Sequence, residues 1–118
     1  MSESKLDEYV RVYRQGKVIF EEGEVGNSVF LIKEGRVEVL KGSGADQRSL
    51  TTLEAGEIFG ELALEKGEHE RSATVRALTE VTGWQFPGPA FESLIEKEET
   101  FRQKLVQSLV DRLIDTTE

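Results

Sequence analysis

The sequence predicts a mainly β domain, a β-sandwich or small barrel, followed by a helical C-terminus. Two observations predict the β part. Short runs rich in β-branched and aromatic residues recur about every ten residues, and glycine-containing turns separate them. A third observation predicts the helix, because residues 90–115, which follow the segment FPGP, contain neither glycine nor proline. Short strands at this even spacing argue against βαβ units.

Seven runs predict the strands. They lie within residues 9–86 and read YVRVY, KVIF, SVFLI, RVEVL, SLTTL, ATVRAL and VTGWQF. In RVEVL, Val37 and Val39 alternate with charged residues, as expected of a strand with one buried face. The segment KGSGADQRS is the most loop-like and predicts a hairpin tip. We expect a single domain over residues 1–118, with its β-roll at about 9–86.

The helical segment is expected at about 89–115, where Pro89 suits the first turn. Its apolar residues form two adjacent rows, which are Phe101, Leu105, Leu109 and Leu113 in one and Val106, Val110 and Ile114 in the other. Two rows are wider than packing on a single surface normally requires. Either both rows are buried against the β domain, or one packs there and the other forms a homodimer through the Phe101–Ile114 helix.

Composition restricts the class of function. The formal net charge is −8, from 15 Lys and Arg against 23 Asp and Glu, so we expect no direct nucleic-acid binding. The chain has no cysteine, no signal peptide and no apolar run of membrane-span length, which favours the cytoplasm without membrane contact. One histidine, His69, cannot supply a cupin-like metal cluster, and no nucleophile constellation is present. We therefore expect neither a metal site nor an enzyme.

The stretch FGELALEKGEHERSATV leaves the β pattern for a short helical turn and places Glu61 ten residues before Arg71. A guanidinium offers phosphate two parallel N–H donors. The helix start can point the amides of Leu62 and Ala63 at an anion, and Gly60 allows a close approach of the backbone. Glu61 would repel phosphate but can accept a hydrogen bond from a ribose hydroxyl. These groups together predict a nucleotide pocket; a surface salt bridge between Glu61 and Arg71 is the alternative.

With these residues the sequence resembles a cyclic nucleotide-binding domain of the bacterial catabolite activator (CRP) type. The resemblance covers nearly the whole chain and rests on GKVIFEEGEVGNSVFLIKEGRVEVL, on the phosphate-binding cassette FGELALEKGEHERSATVRA and on the long helix ending in VDRLIDTTE. The specific part is the Gly-Glu-Leu-x-Leu start, the spacing of Glu61 and Arg71, and the Ser-Ala pair after the arginine. The resemblance implies a jelly-roll-like β-roll with a short cassette helix and a long C-terminal helix.

The resemblance also implies a role for each cassette residue. Arg71 would pair with the cyclic phosphate, and Glu61 would accept a hydrogen bond from the ribose 2′-OH. Gly60 and Ala63 would shape the turn whose amides face the phosphate and the sugar.

Three hydroxyl side chains are implied near the ligand. Ser72 would bond to the phosphate or to the base edge. Thr116 and Thr117 stand in the place of a Thr-Ser pair that reaches the base, one residue coming from each subunit of a dimer. Because a hydroxyl both donates and accepts, these residues can serve adenine or guanine. We expect cAMP ahead of cGMP as the ligand.

We therefore expect a regulatory sensor domain that binds a 3′,5′-cyclic nucleotide and relays its occupancy through the C-terminal helix to an attached or partner effector. CRP-type regulators add an N-terminal helical segment and a C-terminal helix-turn-helix domain. This sequence has neither, as expected of a piece of a larger regulator or of a stand-alone sensor. Two alternatives keep the fold: a nucleotide-blind dimerisation module and a cyclic-dinucleotide sensor.

Overall fold

The computed structural model describes residues 6–60, 69–103 and 106–107. Among these residues, ten strands precede the helical part of the chain. The strands are Val10–Tyr13 (β1), Val18–Phe20 (β2), Val25–Gly26 (β3), Ser28–Glu34 (β4), Val37–Lys41 (β5), Arg48–Leu53 (β6), Ile58–Phe59 (β7), His69–Glu70 (β8), Thr74–Ala77 (β9) and Val81–Pro87 (β10), and the first helix is Gly88–Lys97 (α1). Two 3-10 turns, Asp7–Tyr9 and Gly44–Asp46, lie before β1 and between β5 and β6.

The strands form two four-stranded antiparallel sheets, with orders β1-β10-β4-β7 and β2-β9-β5-β6, and β3 pairs with β8 in a small third sheet. Helices follow at the C-terminal end. The predicted fold class, a mainly β jelly roll with a helical C-terminus, is confirmed. Each of the seven predicted runs contains one strand, which are β1, β2, β4, β5, β6, β9 and β10.

Strand β5 departs from simple alternation. Val37 is fully buried and Val39 packs against the same core, as predicted. Leu40 is also buried, at 5% exposure, although it follows Val39 directly. The register with β6 shifts between these two residues. A bulge at this point turns the next side chain inward, which strict alternation could not foresee.

An inner core lies between the two four-stranded sheets. Both sheets contribute to it, and its buried members are Phe20, Phe30, Ile32, Val37, Leu53, Phe59, Val75, Ala77 and Val81. Three of the rings touch, with centroids 4.8 Å apart for Phe30 and Phe59, 5.6 Å for Phe20 and Phe30, and 5.9 Å for Phe20 and Phe59. Such aromatic pairs contribute beyond their buried area.

An outer core lies on the other face of the sheet that contains β4 and β10. Its buried members are Val29, Phe86, Phe91 and Phe101. Strand β4 serves both cores, since Phe30 and Ile32 face the inner one while Val29 and Leu31 face the outer one. The alternation of side chains along a strand explains this division.

The helical segment is interrupted at Glu98. Helix α1 begins at Gly88, with Pro89 in its first turn, and ends at Lys97. Glu98 is extended, with φ −118° and ψ 97°, and residues 99–103 and 106–107 are helical again. The sequence predicted helix without a break from about residue 89, because neither glycine nor proline marks the interruption.

The two apolar rows have different surroundings where the structure describes them. Phe101 is 7% exposed and meets Phe86 and Phe91 edge-on, with ring centroids 5.7 and 5.6 Å away. Val106, in the second row, is 53% exposed. The remaining row members, Leu105, Leu109, Val110, Leu113 and Ile114, lie outside the described residues. Within the described part of the chain, no helix has the length and apolar character needed to cross a membrane.

Candidate functional site

The backbone of Arg71 is fixed where strand β8 ends. Its N–H donates to the Glu24 carbonyl at 2.7 Å, and its own carbonyl accepts from the Gly23 N–H at 2.8 Å. The pairing of β3 with β8 continues this contact through Val25 and Gly26. The turn at residues 23–26 therefore places Arg71 beside the start of β4.

The guanidinium of Arg71 lies inside the domain, and the residue is only 9% exposed. Its Nη2 donates to the Ser28 carbonyl at 3.1 Å, and Nη1 reaches the Gly60 carbonyl at the longer distance of 3.5 Å. The ring centroids of Phe20 and Phe30 lie 4.3 and 5.9 Å from its Cζ. The positive group is thus stacked on the aromatic part of the inner core.

The charge of Arg71 is not neutralised by a described carboxylate. No Asp or Glu among residues 6–60, 69–103 and 106–107 lies within 4.0 Å of its guanidinium. Burial lowers the pKa of Arg71 from its ordinary value, and the more distant charge of Glu24 opposes this shift. A buried cation of this kind attracts an anion that can enter with the right geometry.

Two glycines keep space around the guanidinium. A Cβ on Gly26 would lie 2.9 Å from Nη2 of Arg71, and one on Gly60 would lie 3.0 Å from Nη1 and 2.9 Å from the Ser28 carbonyl. Gly60 also has φ +81°, which disfavours other residues. Sequence reasoning assigned Gly60 to the site for its close approach to a ligand, and the structure places it against Arg71. Gly26 was missed, although the glycine in EVGNS was a visible signal.

Ser72 is exposed beside the buried arginine. Its carbonyl accepts a hydrogen bond from Lys41 Nζ at 2.5 Å, and the same ammonium lies 3.3 Å from Oε2 of Glu22. Oε1 of Glu22 accepts from the Gly42 N–H at 2.9 Å, a bond that, with Lys41, holds the pKa of Glu22 below its ordinary value. Sequence reasoning did not predict that Lys41 and Glu22 contact the segment at Ser72, because charged residues in such a chain are normally exposed to solvent.

The structure thus brings together three of the predicted site residues, Gly60, Arg71 and Ser72. The other five, Glu61, Leu62, Ala63, Thr116 and Thr117, lie outside the described residues, and the short cassette helix predicted after Gly60 falls on residues outside them as well. The backbone of His69 belongs to strand β8. In the part of the chain that the structure describes, no group of three or more His, Asp or Glu residues could hold a metal ion.

Comparisons with known proteins identify the family. The sequence model of the family described as "Cyclic nucleotide-binding domain" matches residues 10–98. The chain is 38% identical over 103 residues to the cAMP-dependent protein kinase regulatory subunit of Schizosaccharomyces pombe. This match covers 78% of this chain and 24% of that protein. It is 35% identical over 89 residues to cGMP-dependent protein kinase 2 of Homo sapiens, covering 75% of this chain and 11% of that protein. The chain therefore spans about a quarter or less of these two relatives.

The fold is similar to that of the catabolite activator protein of Thermus thermophilus, with a TM-score of 0.73 and 30% sequence identity. That similarity covers 98% of this chain and 55% of the solved chain. The family match, the identity to the kinase proteins and the shared fold agree with the cassette motif. This chain belongs to the family of cyclic nucleotide-binding domains.

Proposed function

We propose that this domain is a sensor in which Arg71 holds the phosphate of a 3′,5′-cyclic nucleotide. The observation that carries the proposal is the buried guanidinium without a described carboxylate partner. A structural arginine is normally paired with a carboxylate when it is buried, because an unpaired buried charge costs free energy. Here the compensation would come from the ligand, whose phosphate accepts two parallel N–H bonds.

The remaining contacts follow the family pattern. Glu61 would accept a hydrogen bond from the ribose 2′-OH, and the turn of Gly60, Leu62 and Ala63 would direct backbone N–H groups at the phosphate and sugar. Ser72 follows Arg71 in the sequence and is exposed, and we propose that its hydroxyl bonds to the phosphate or to the base edge. Thr116 and Thr117 are proposed to approach the base from the C-terminal helix of the same subunit or of a dimer partner.

We propose cAMP ahead of cGMP as the ligand. Of the two kinase relatives, the one named for cAMP matches more residues at higher identity. Hydroxyl groups at Ser72, Thr116 and Thr117 do not discriminate by themselves, because each can donate to one base and accept from the other.

Occupancy would be relayed through the helical segment to an effector in the same or another protein. The outer core supports this route because it joins β4, next to Arg71, to Phe91 of α1 and to Phe101. The exposure of Val106 supports a second contact surface on the same segment, and a homodimer through residues 101–114 is its proposed use. We propose that this domain regulates and has no catalytic activity of its own, that it works in the cytoplasm, and that it contacts neither nucleic acid nor membrane.

Isothermal titration of the purified domain with cAMP, cGMP and a cyclic dinucleotide tests the proposal. The variants are Arg71→Ala and the matched control Arg76→Ala, whose guanidinium bonds to Glu38 at 2.7 Å on the neighbouring strand. We expect one-site binding by wild type and the control, weakened at least tenfold in Arg71→Ala. Binding of the dinucleotide alone would reassign the ligand. A folded wild type that binds none of the three would contradict the proposal and favour a nucleotide-blind module.

A further inference from the structure

The start of β4 is held from two sides by consecutive carbonyls. The Asn27 carbonyl accepts a hydrogen bond from the N–H of Gly88, the first residue of α1, at 2.9 Å. The next carbonyl, that of Ser28, accepts from Nη2 of Arg71 at 3.1 Å. One short piece of backbone therefore contacts both the start of the helix and the guanidinium.

The side chain of Ser28 is held separately, by Gln85 of β10. Nε2 of Gln85 donates to Ser28 Oγ at 3.1 Å, and Oε1 of Gln85 accepts from the Tyr13 hydroxyl at 3.4 Å. The tyrosine contact turns the amide so that its NH₂ group faces the serine. Both bonds lie in a partly buried setting, where a hydrogen bond is less exposed to competition from water.

These contacts form a chain from Tyr13 through Gln85 and Ser28 to Arg71, the residue proposed to bind the phosphate. The bond from Gln85 to Ser28 Oγ ties the start of β4 to β10, and the Ser28 carbonyl is the closer of the two acceptors that Arg71 has among the described residues. A guanidinium that is already oriented loses less conformational freedom when the phosphate arrives. Gln85 lies opposite Phe30 in the sheet, and the ring centroid of Phe30 is 5.9 Å from Cζ of Arg71.

We propose that Gln85 is a positioning residue for Arg71 and that it acts through Ser28. The inference rests on the proposed function, since its effect is measured as affinity for a cyclic nucleotide. In the ligand-free domain, Gln85 holds Ser28 through its hydrogen bond, and the Ser28 carbonyl orients the arginine. Its loss should weaken nucleotide binding without removing the phosphate contact.

A double-mutant cycle tests the inference, with the dissociation constant of cAMP measured by titration for wild type, Gln85→Met, Ser28→Ala and the double variant. Each single variant removes the hydrogen bond between Gln85 and Ser28, and Gln85→Met also removes the one from Tyr13, so each should weaken binding by about three- to tenfold. The double variant should bind cAMP no less tightly than the single variant with the lower affinity. The control is Thr51→Val, which loses an exposed side-chain hydrogen bond to the Thr52 carbonyl on the edge strand β6 and should bind like wild type.

Thermal unfolding of each ligand-free variant separates positioning from general destabilisation. We expect the affinity loss while each variant remains fully folded at the titration temperature. If Gln85→Met does not fold, the comparison of Ser28→Ala with Tyr13→Phe replaces it, and the phenylalanine variant should show the smaller loss. Additive losses, or an unchanged affinity in Gln85→Met, would overturn the inference while leaving the proposed function in place. A wild type that binds no cyclic nucleotide would instead refute the proposed function, and this inference with it.

Discussion

Replacing Arg71 by methionine should abolish tight nucleotide binding while leaving the ligand-free domain as stable as before or more stable. Methionine keeps an unbranched apolar stem over Phe20 but removes the charge. The lost terms are one charge-assisted hydrogen bond at 3.1 Å, about 1.5–3 kcal/mol, and a cation–π contact of about 0.5–2 kcal/mol. The gained term is the removed burial penalty of a cation, several kcal/mol in real proteins. The two sides nearly cancel.

The effect on the ligand has no such compensation. A cyclic phosphate loses two charge-assisted hydrogen bonds, which together are worth about 3–6 kcal/mol. That free energy corresponds to a dissociation constant raised by about 10²- to 10⁴-fold. Thermal unfolding with and without cAMP measures both quantities, because ligand at ~100 times its dissociation constant stabilises a wild-type domain by about 2.7 kcal/mol. The variant should melt within a few degrees of ligand-free wild type and gain nothing from cAMP.

Arg76→Met provides the matched control, since this arginine is half-buried and paired with Glu38 across β9 and β5. A partly exposed pair contributes about 0–1 kcal/mol, so the control should lose little stability and keep its response to cAMP. A loss of more than about 3 kcal/mol in ligand-free Arg71→Met, with cAMP still binding, would refute the reasoning. In that case the guanidinium would be holding the inner core and not a ligand.

Three further predictions concern the surroundings of the site. Because the pKa of Glu22 is lowered in the folded state, its stabilising contribution is present above its ordinary pKa of 4.5 and is lost as pH falls through the folded value. The difference in melting temperature between wild type and Glu22→Gln should therefore shrink from about pH 7 to about pH 3. A constant difference would contradict this prediction. Gly60→Ala should destabilise the domain by about 1–3 kcal/mol in urea unfolding and weaken cAMP binding. The reason is that φ is +81° and the new Cβ would lie 2.9 Å from a carbonyl oxygen. An unchanged urea midpoint would show that the turn adapts to the methyl group. Phe101→Ala should cost about 3–5 kcal/mol through the outer core, whereas Val106→Ala, at a site 53% exposed, should change monomer stability by less than about 0.5 kcal/mol; equal losses would mean that both rows are buried.

The strands were predictable because their pattern is local. Runs such as SVFLI and VTGWQF carry β-branched and aromatic residues, and glycine-containing turns bound most of them. The two-residue strands β3, β7 and β8 are too short for any periodicity to reveal them. The break at Glu98 was also hidden, since no glycine or proline marks it. Phe91 and Phe101, one on each side of the break, both contact Phe86.

For the candidate site, the sequence predicted the residue whose type the proposed phosphate contact favours. A guanidinium offers phosphate two parallel donors, and the cassette spacing predicts Arg71 for this role. The residues that contact its guanidinium, Phe20 and Ser28, and Gln85, which contacts Ser28, could not be found in the same way, because they are distant in sequence and carry no motif. Only the register of β4 against β10 brings the last two together.

The geometry of β4 explains how one small ligand could influence the helical segment. Phe30 stacks near the guanidinium from the inner core, while its neighbour Val29 is fully buried in the outer core with Phe91 and Phe101. Adjacent residues of a paired strand cannot move independently, since both sides of the ladder hold them. A shift of β4 that improves the fit of Arg71 to a phosphate would therefore change the packing beneath both helical stretches. A relay of this kind would need no long chain of side chains, because Phe30, near Arg71, and Val29, near the helical segment, face opposite sides of one strand.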